Sequence, residues 1–404
     1  MTALGRRICI ITQSHLCRNP RVLKEALTLS QEGYTVTILT AIYSAKLLQE
    51  DLDLIKKTGI EYEFYSDLRE SNISSHLVRF VRKAATELQS KLHIESIKSL
   101  GFNPGKLLKQ CISQSADLYI AHQEMPTCIG IELIKKGYKI AFDIEDWYSE
   151  DLLPIAQKQR PVNLLKKAEA EALHKGIFCT TTSSALSNKL ASVYSAKKAE
   201  VIYNVFPATI QPIKKTINDP LKLFWFSQTI GLGRGLEEFI QLLKSIETKI
   251  ELHLLGNVSD TYRDELKKLM PKHQQLFFHE LVNEKELPAK IATFDIGLAL
   301  ELPAPPSRNF TITNKFFQYI QAGLPVIASE TEGQNEGFDK FKPGFKLSQN
   351  PGKEDIAELD MWLSDPAALT AAKDKAIEAA QFYNWENESK KLIKLVKNTF
   401  ENAG

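Results

Sequence analysis

Short apolar runs alternate with longer amphipathic stretches along nearly the whole chain, and this alternation is the mark of βαβ units stacked into parallel sheets. In the first half it predicts strands at Ile8–Thr12, Thr35–Thr40, Leu118–Ala121, Lys139–Asp143, Gly176–Thr181 and Glu200–Tyr203, separated by helical stretches such as Arg21–Gln31. In the second half the strands fall at Leu221–Ser227, Ile250–Leu255, Leu276–His279, Asp295–Ala299 and Pro325–Ala328. A chain of 404 residues exceeds one ordinary core, so the pattern predicts an α/β protein of two doubly wound, Rossmann-like domains.

Between Asn204 and Pro220, three prolines (Pro207, Pro212, Pro220) interrupt both periodicities. The expected domains are therefore residues 1–205 and 206–384. Residues 385–404 include apolar positions at helical spacing (Leu392, Ile393, Leu395, Val396, Phe400), which predict a helix docked on a preformed surface.

Composition narrows the function classes. The chain is 43% hydrophobic and 25% charged with a net charge of +2, which excludes a disordered or collagen-like chain. The charge divides as +5 over residues 1–205 and −3 over the rest, far short of a nucleic-acid footprint. Part of the excess runs from His76 through Arg79, Arg82, Lys83, Lys91, Lys98 and Lys106 to Lys109, interleaved with Leu77, Val78, Phe80, Val81, Leu88 and Leu92. A solvated helix face is the ordinary reading of such a stretch; peripheral contact with the inner face of a membrane through residues 76–109 is the other. The five cysteines are scattered without metal spacing, which fits a reducing compartment and no metal site. The N-terminus leads into an apolar run too short for a signal peptide or a span, so a cytoplasmic protein is expected.

Since open α/β sheets bind ligands beyond the carboxyl ends of their strands, function is expected at the strand-to-helix turns. The run Leu223–Phe226 ends in Ser227-Gln228-Thr229-Ile230-Gly231-Leu232-Gly233-Arg234-Gly235. This glycine-rich turn with an arginine suits a diphosphate and lacks the ending of an ATPase P-loop. A brief helix should start at Thr313 or Asn314 and stop at Gly323, with Lys315 in its first turn, where a cation is costly unless an anion lies there. Asp143-Ile144-Glu145-Asp146-Trp147-Tyr148-Ser149-Glu150-Asp151 sets five carboxylates around two aromatics, suited to sugar hydroxyls, ring faces or acid/base duty. His122 ends another strand. The first turn, Gln13-Ser14-His15-Leu16-Cys17-Arg18-Asn19-Pro20, can touch a ligand, or Asn19 can simply cap the helix.

At these places the chain resembles family 4 retaining glycosyltransferases of the GT-B fold, especially the bacterial cell-surface polysaccharide branch. The residues that carry the resemblance are Ile11 through Ala26, Asp143 through Glu150, Val201-Ile202-Tyr203-Asn204, Gly233-Arg234-Gly235-Leu236-Glu237, and Asn314-Lys315-Phe316-Phe317 through Gly323-Leu324-Pro325-Val326. It implies an N-terminal acceptor domain joined by the C-terminal helix 385–404, and a C-terminal domain for the nucleotide-sugar donor. It also implies that Arg234 grips the donor diphosphate, within a donor set of Ser227, Thr229, Gly233, Gly256, Asn257, Glu301, Thr313, Asn314, Lys315 and Gln318. The acceptor set is Ser14, His15, Arg18, Trp147 and Tyr148, and the catalytic set is His122, Glu145 and Asp146. Three positions depart from the pattern: Gln318 stands for the second glutamate of the family's pair, Phe310 for the first, and Gln228 for a second arginine. Glu301 is the expected substitute carboxylate.

The resemblance thus implies transfer of a sugar from a UDP- or GDP-linked donor to a hydroxyl of a glycan or lipid-linked acceptor, with retention and without a cofactor. A nucleotide-sugar epimerase of the same fold and a non-catalytic nucleotide-sugar scaffold are the alternatives.

Overall fold

The computed structural model describes residues 5–208 and 216–401. Pro212 of the expected join, the first four residues and residues 402–404 of the expected last helix lie outside the described residues. The chain forms two units: one runs to Tyr203 and resumes at Glu388, and the other is Asn204–Asn387.

The first unit is built on seven strands: β1 (Arg7–Ile11), β2 (Thr35–Ile42), β3 (Glu61–Asp67), β4 (Leu118–His122), β5 (Ile140–Ile144), β6 (Cys179–Thr181) and β7 (Glu200–Val201). They lie in the order β3-β2-β1-β4-β5-β6-β7, and every pairing is parallel. The β-branched run of β1 is buried on both faces because helices cover both sides of such a sheet. Asn19 starts the first helix, Pro20–Gln31, by accepting from the Val22 N–H at 3.3 Å, with Pro20 at a position where its missing donor costs nothing.

The second unit holds β8 (Leu221–Thr229), β9 (Ile250–Asn257), β10 (Gln275–His279), β11 (Ile296–Ala299), β12 (Val326–Ser329) and β13 (Gly344–Leu347). The order β10-β9-β8-β11-β12-β13 is again wholly parallel. Its core joins Leu223, Trp225, Leu252, Leu254 and Leu298 of the sheet to Leu236, Phe239 and Ile240 of the covering helix. In each sheet the strand order reverses beside the first strand, between β1 and β4 and between β8 and β11, and the carboxyl ends there form the ligand crevice of a doubly wound fold.

Two strands escaped the sequence pattern. β3 alternates Glu61 and Glu63 with Tyr62 and Phe64 at the sheet edge, and β13 is four residues long. The basic stretch 76–109 is also not one helix: it divides into Ile73–Leu92 and Pro104–Gln114, with His93 in the left-handed region (φ 54°) ending the first.

The last helix, Trp385–Glu401, opens with the Trp385 N–H donating to Phe206 O in the second unit. From Glu388 on it belongs to the first unit. There Glu388 accepts from the Tyr203 N–H at 2.9 Å, Lys397 pairs with Glu32 at 2.7 Å, and Phe400 packs 5.8 Å from Tyr34.

Candidate functional sites

In the second unit, the turn after β8 and the segment after β11 flank the switch point. Gly256, at the end of β9 with φ 150°, lets the strand ends converge, since a Cβ there would sit 2.4 Å from Ser227 O. Beyond β8, Gly233 and Gly235 (φ 74° and 76°) turn the chain so that Arg234 stands between them. Its guanidinium lies 3.5 Å from Glu301, which is only 5% exposed, just past β11.

Arg308, on the short helix Ser307–Phe310, completes this cluster. It donates to Gly233 O at 2.7 Å and forms a looser ion pair with Glu301 Oε2 at 3.8 Å. Burial and the neighbouring Arg234 push its pKa down, against the pull of Glu301. Glu301 is fixed by its own N–H donating to Ser329 Oγ at 3.1 Å, while its buried Oε2 has no hydrogen-bond partner among the described residues.

Lys315 approaches from the helix Asn314–Gln321, which Thr313 caps through the Phe316 N–H and which gives way to Gly323 at φ 69°. Its ammonium lies 5.2 Å from the Trp225 ring centroid. Burial lowers its pKa, Glu301 opposes that, and Arg234 and Arg308 add to it. Two arginines thus contact one carboxylate, with the Lys315 ammonium within electrostatic reach of all three. The excess of two positive charges is an unfavourable arrangement that a diphosphate would neutralise. Gln318 lies one turn along the same helix, half-buried. Gln228, Thr229, Asn257 and Asn314 are exposed nearby in sequence to these elements, and Phe310 is buried.

At the first unit's switch point the geometry divides the expected residues sharply. His122 is fully buried, its Nε2 3.1 Å from Glu25 and its Nδ1 3.1 Å from Asp143 and 3.2 Å from Glu145. Burial disfavours its cation, yet Glu25 and Asp143 raise its pKa well above the ordinary value, so the surrounding carboxylates favour the protonated ring. Arg21 grips Asp143 through Nε and, at 2.9 Å, through Nη2, and donates to Ile202 O at 2.7 Å. Thr180 Oγ1 donates to the same carboxylate at 2.7 Å. Burial opposes the Asp143 charge, but Arg21 and His122 hold its pKa well below the carboxylate range. Glu25, His122 and Asp143 offer ligand atoms within 4.8 Å of one another; Arg21, 3.5 Å from Glu25 as well, already supplies the cation there.

His122 therefore has no free nitrogen for an acceptor. Glu145 reaches solvent at the rim of this cluster, and Asp146 beside it is exposed. Dense surroundings and the charges of Glu145, Asp151, Glu124 and Asp143 push the Asp146 carboxyl up to about 7. Although much protein surrounds it, its surface is open, so the like-charge crowding is the firmer cause.

The expected acceptor residues are mostly wall. His15 is buried, its Nδ1 2.6 Å from Asp51 and its Nε2 accepting from the Tyr43 and Ser44 N–H groups. Trp147 is buried and donates to Tyr194 OH at 3.3 Å, and Tyr148 OH donates to Asp143 O at 3.2 Å. Ser14 exchanges hydrogen bonds with Gln123, and Arg18 is exposed. The sequence reading missed Gln123, a non-glycine at φ 71° that also accepts from Thr12 Oγ1 and the Gln13 N–H, and the Glu124–Arg160 ion pair beside it. Positive φ at a strand end, held by side-chain bonds, is backbone strain of a kind that collects at functional turns.

No family model matches the chain, and no curated protein does. Solved structures do. Sucrose-phosphate synthase from Thermosynechococcus elongatus superposes with a TM-score of 0.69 at 12% identity, covering 98% of this chain and 100% of that one. Anabaena Alr3699/HepE in complex with UDP and glucose gives 0.64 at 14%, covering 98% and 100%. TarM gives 0.68 at 9%, covering 97% and 98%. A Listeria monocytogenes chain described as a UDP-N-acetylglucosamine 2-epimerase gives 0.56 at 12%, covering 99% and 98%. The chain has the GT-B fold of two Rossmann-like domains.

Proposed function

We propose that the protein is a retaining glycosyltransferase that moves a hexosyl group from a nucleoside-diphosphate sugar to a hydroxyl of a glycan or lipid-linked acceptor. The observation that carries this reading is the convergence of Arg234, Arg308 and Lys315 on Glu301 at the second unit's switch point. As the glycosidic bond to the diphosphate breaks, negative charge grows on the leaving oxygens, and fixed cations there stabilise the transition state more than the ground state. The vacant Oε2 acceptor of Glu301 suits a hydroxyl of the donor.

The UDP in the HepE complex and in a complex of S. aureus TarM supports a uridine donor as the first to test, with GDP conjugates second. The donor is a substrate, and no cofactor takes part in this reading. In the first unit, this reading assigns Glu145, half-buried, and Asp146, exposed, to orient the acceptor or take its proton. Supply of a cell-surface polysaccharide from cytoplasmic nucleotide sugars is the setting that the motif resemblance favours.

A thermal-shift series with UDP, GDP and their sugar conjugates tests the reading. A ligand at about 100 times its dissociation constant adds about 2.7 kcal/mol. A selective shift that Arg234→Ala abolishes is expected, and no shift with any nucleotide overturns the assignment. The epimerase-like neighbour supports a second reading, which predicts donor turnover without an acceptor.

A further inference from the structure

Independently of the sugar chemistry, we propose that the first unit docks on an anionic membrane through the outer face of the helix Ile73–Leu92. That helix is built inside out. Of its 20 residues only Ser75, Ala85 and Gln89 are buried, whereas Ile73 is 89% exposed, Phe80 67%, Leu92 61% and Leu77 60%. Ile73, Leu77, Phe80 and Leu88, with half-buried Ala84 between them, follow one another at helical spacing, so they form one apolar stripe. A surface helix ordinarily turns such a stripe inward. Its principal packing partner is the short turn Ile97–Ser99, which leaves the stripe uncovered.

Charge identifies the occupant. Residues 73–109 hold seven Lys and Arg against two Glu. Glu87 is paired with Lys91 at 3.0 Å, and Glu95 is spent on the backbone N–H groups of Asn163 and Leu164 at 2.9 and 2.6 Å. Lys83 flanks the apolar stripe on the same helix, and Lys98, Lys106 and Lys109 are exposed on the turn and helix that follow it. A helix with an apolar face and basic flanks lies in the interface of an anionic bilayer, with cations at the headgroups and apolar side chains below. A second copy in a two-fold contact would instead set like charges together.

Glu95 thereby also caps the first turn of the helix Val162–Lys175, and the stretch upstream of that helix exposes Leu153 (52%) and Ile155 (85%). That stretch reaches the carboxyl end of β4 through Arg160 and Glu124.

Flotation of the full chain with vesicles of phosphatidylcholine and phosphatidylglycerol, against phosphatidylcholine alone, tests the proposal. Salt-sensitive binding to the acidic vesicles is expected. Phe80→Ser with Leu88→Ser, and separately Lys83→Glu with Lys98→Glu, should each lower it about tenfold, with melting unchanged because these side chains are exposed. Absence of binding at low salt overturns the proposal, as does binding indifferent to the Phe80/Leu88 pair. A dimer that this pair dissolves, without flotation, assigns the face to a second copy and overturns it as well. Arg234→Ala should float like the wild type, which keeps this test separate from the donor test.

Discussion

Arg234 and Arg308 approach opposite oxygens of one buried carboxylate, Glu301, at 3.5 and 3.8 Å. Both contacts are long for charge-assisted hydrogen bonds, which shorten to about 2.7–2.9 Å when well made. Glu301 holds the two guanidiniums near each other without saturating them, leaving donors for a ligand.

Arg308→Ala should therefore weaken nucleoside-diphosphate binding. A hydrogen bond to a charged group contributes about 1.5–3 kcal/mol, so the loss is about ten- to a hundredfold. Titration calorimetry with UDP and GDP measures it. Equal affinity in wild type and variant removes Arg308 from the site.

The contrast between Arg234 and Arg308 shows what the sequence could reveal. Arg234 sits between two glycines, and Thr313 and Gly323 bound the Lys315 helix, so these signals are local and were legible. Arg308 stands in a proline-rich stretch without periodicity, and its role depends on Gly233, far away along the chain. His15 looked like a site residue because it stands in the turn after the first strand, and His122 because it ends one. Their partners, Asp51 and Glu25, lie on helices that only the fold brings over them. The strand alternation gave both sheets except β3 and β13, where edge exposure and short length erase the apolar run.

Arg21→Met should damage stability rather than donor recognition. Arg21 is fully buried, and its loss leaves Asp143 and Glu25 facing each other beside His122. Breaking such a pair costs about 3–5 kcal/mol. Urea unfolding should show that loss. The nucleotide-induced thermal shift should persist, because the cation cluster belongs to the other unit. A variant of wild-type stability argues against the network.

Glu169 makes stability depend on pH. It is buried and accepts from the Ser149 N–H, Ser149 Oγ and Tyr194 OH at 3.0, 2.8 and 2.6 Å. Burial nevertheless raises its pKa from 4.5 to about 7, since those bonds only partly offset desolvation. The folded state thus holds this proton more tightly than the unfolded chain. Its contribution is fully present below about 4.5, declines as pH rises and levels off above about 7, a span of about 3 kcal/mol. Glu169→Gln keeps the group neutral, so the variant should gain on the wild type towards alkaline pH. Denaturation midpoints at about pH 5 and about pH 8 decide it; parallel changes in both proteins show that Glu169 does not govern the slope.

Gly297→Ala connects core packing to the donor site. Gly297 lies in the middle of β11, and a Cβ there would come within 2.1 Å of the Tyr319 ring. Tyr319 is fully buried, its hydroxyl donates to Phe224 O at 3.0 Å, and it is carried by the helix that presents Lys315. The ring cannot yield sideways, so the helix must lift from the sheet. Overpacking of this kind costs about 1–3 kcal/mol, and the same displacement withdraws Lys315 from Glu301. The variant should lose stability and nucleotide affinity together. Tyr319→Leu added to Gly297→Ala restores room for the methyl group and should recover affinity, measured by UDP or GDP titration. Loss of stability with affinity intact in the single variant would mean that the Lys315 helix does not position the donor.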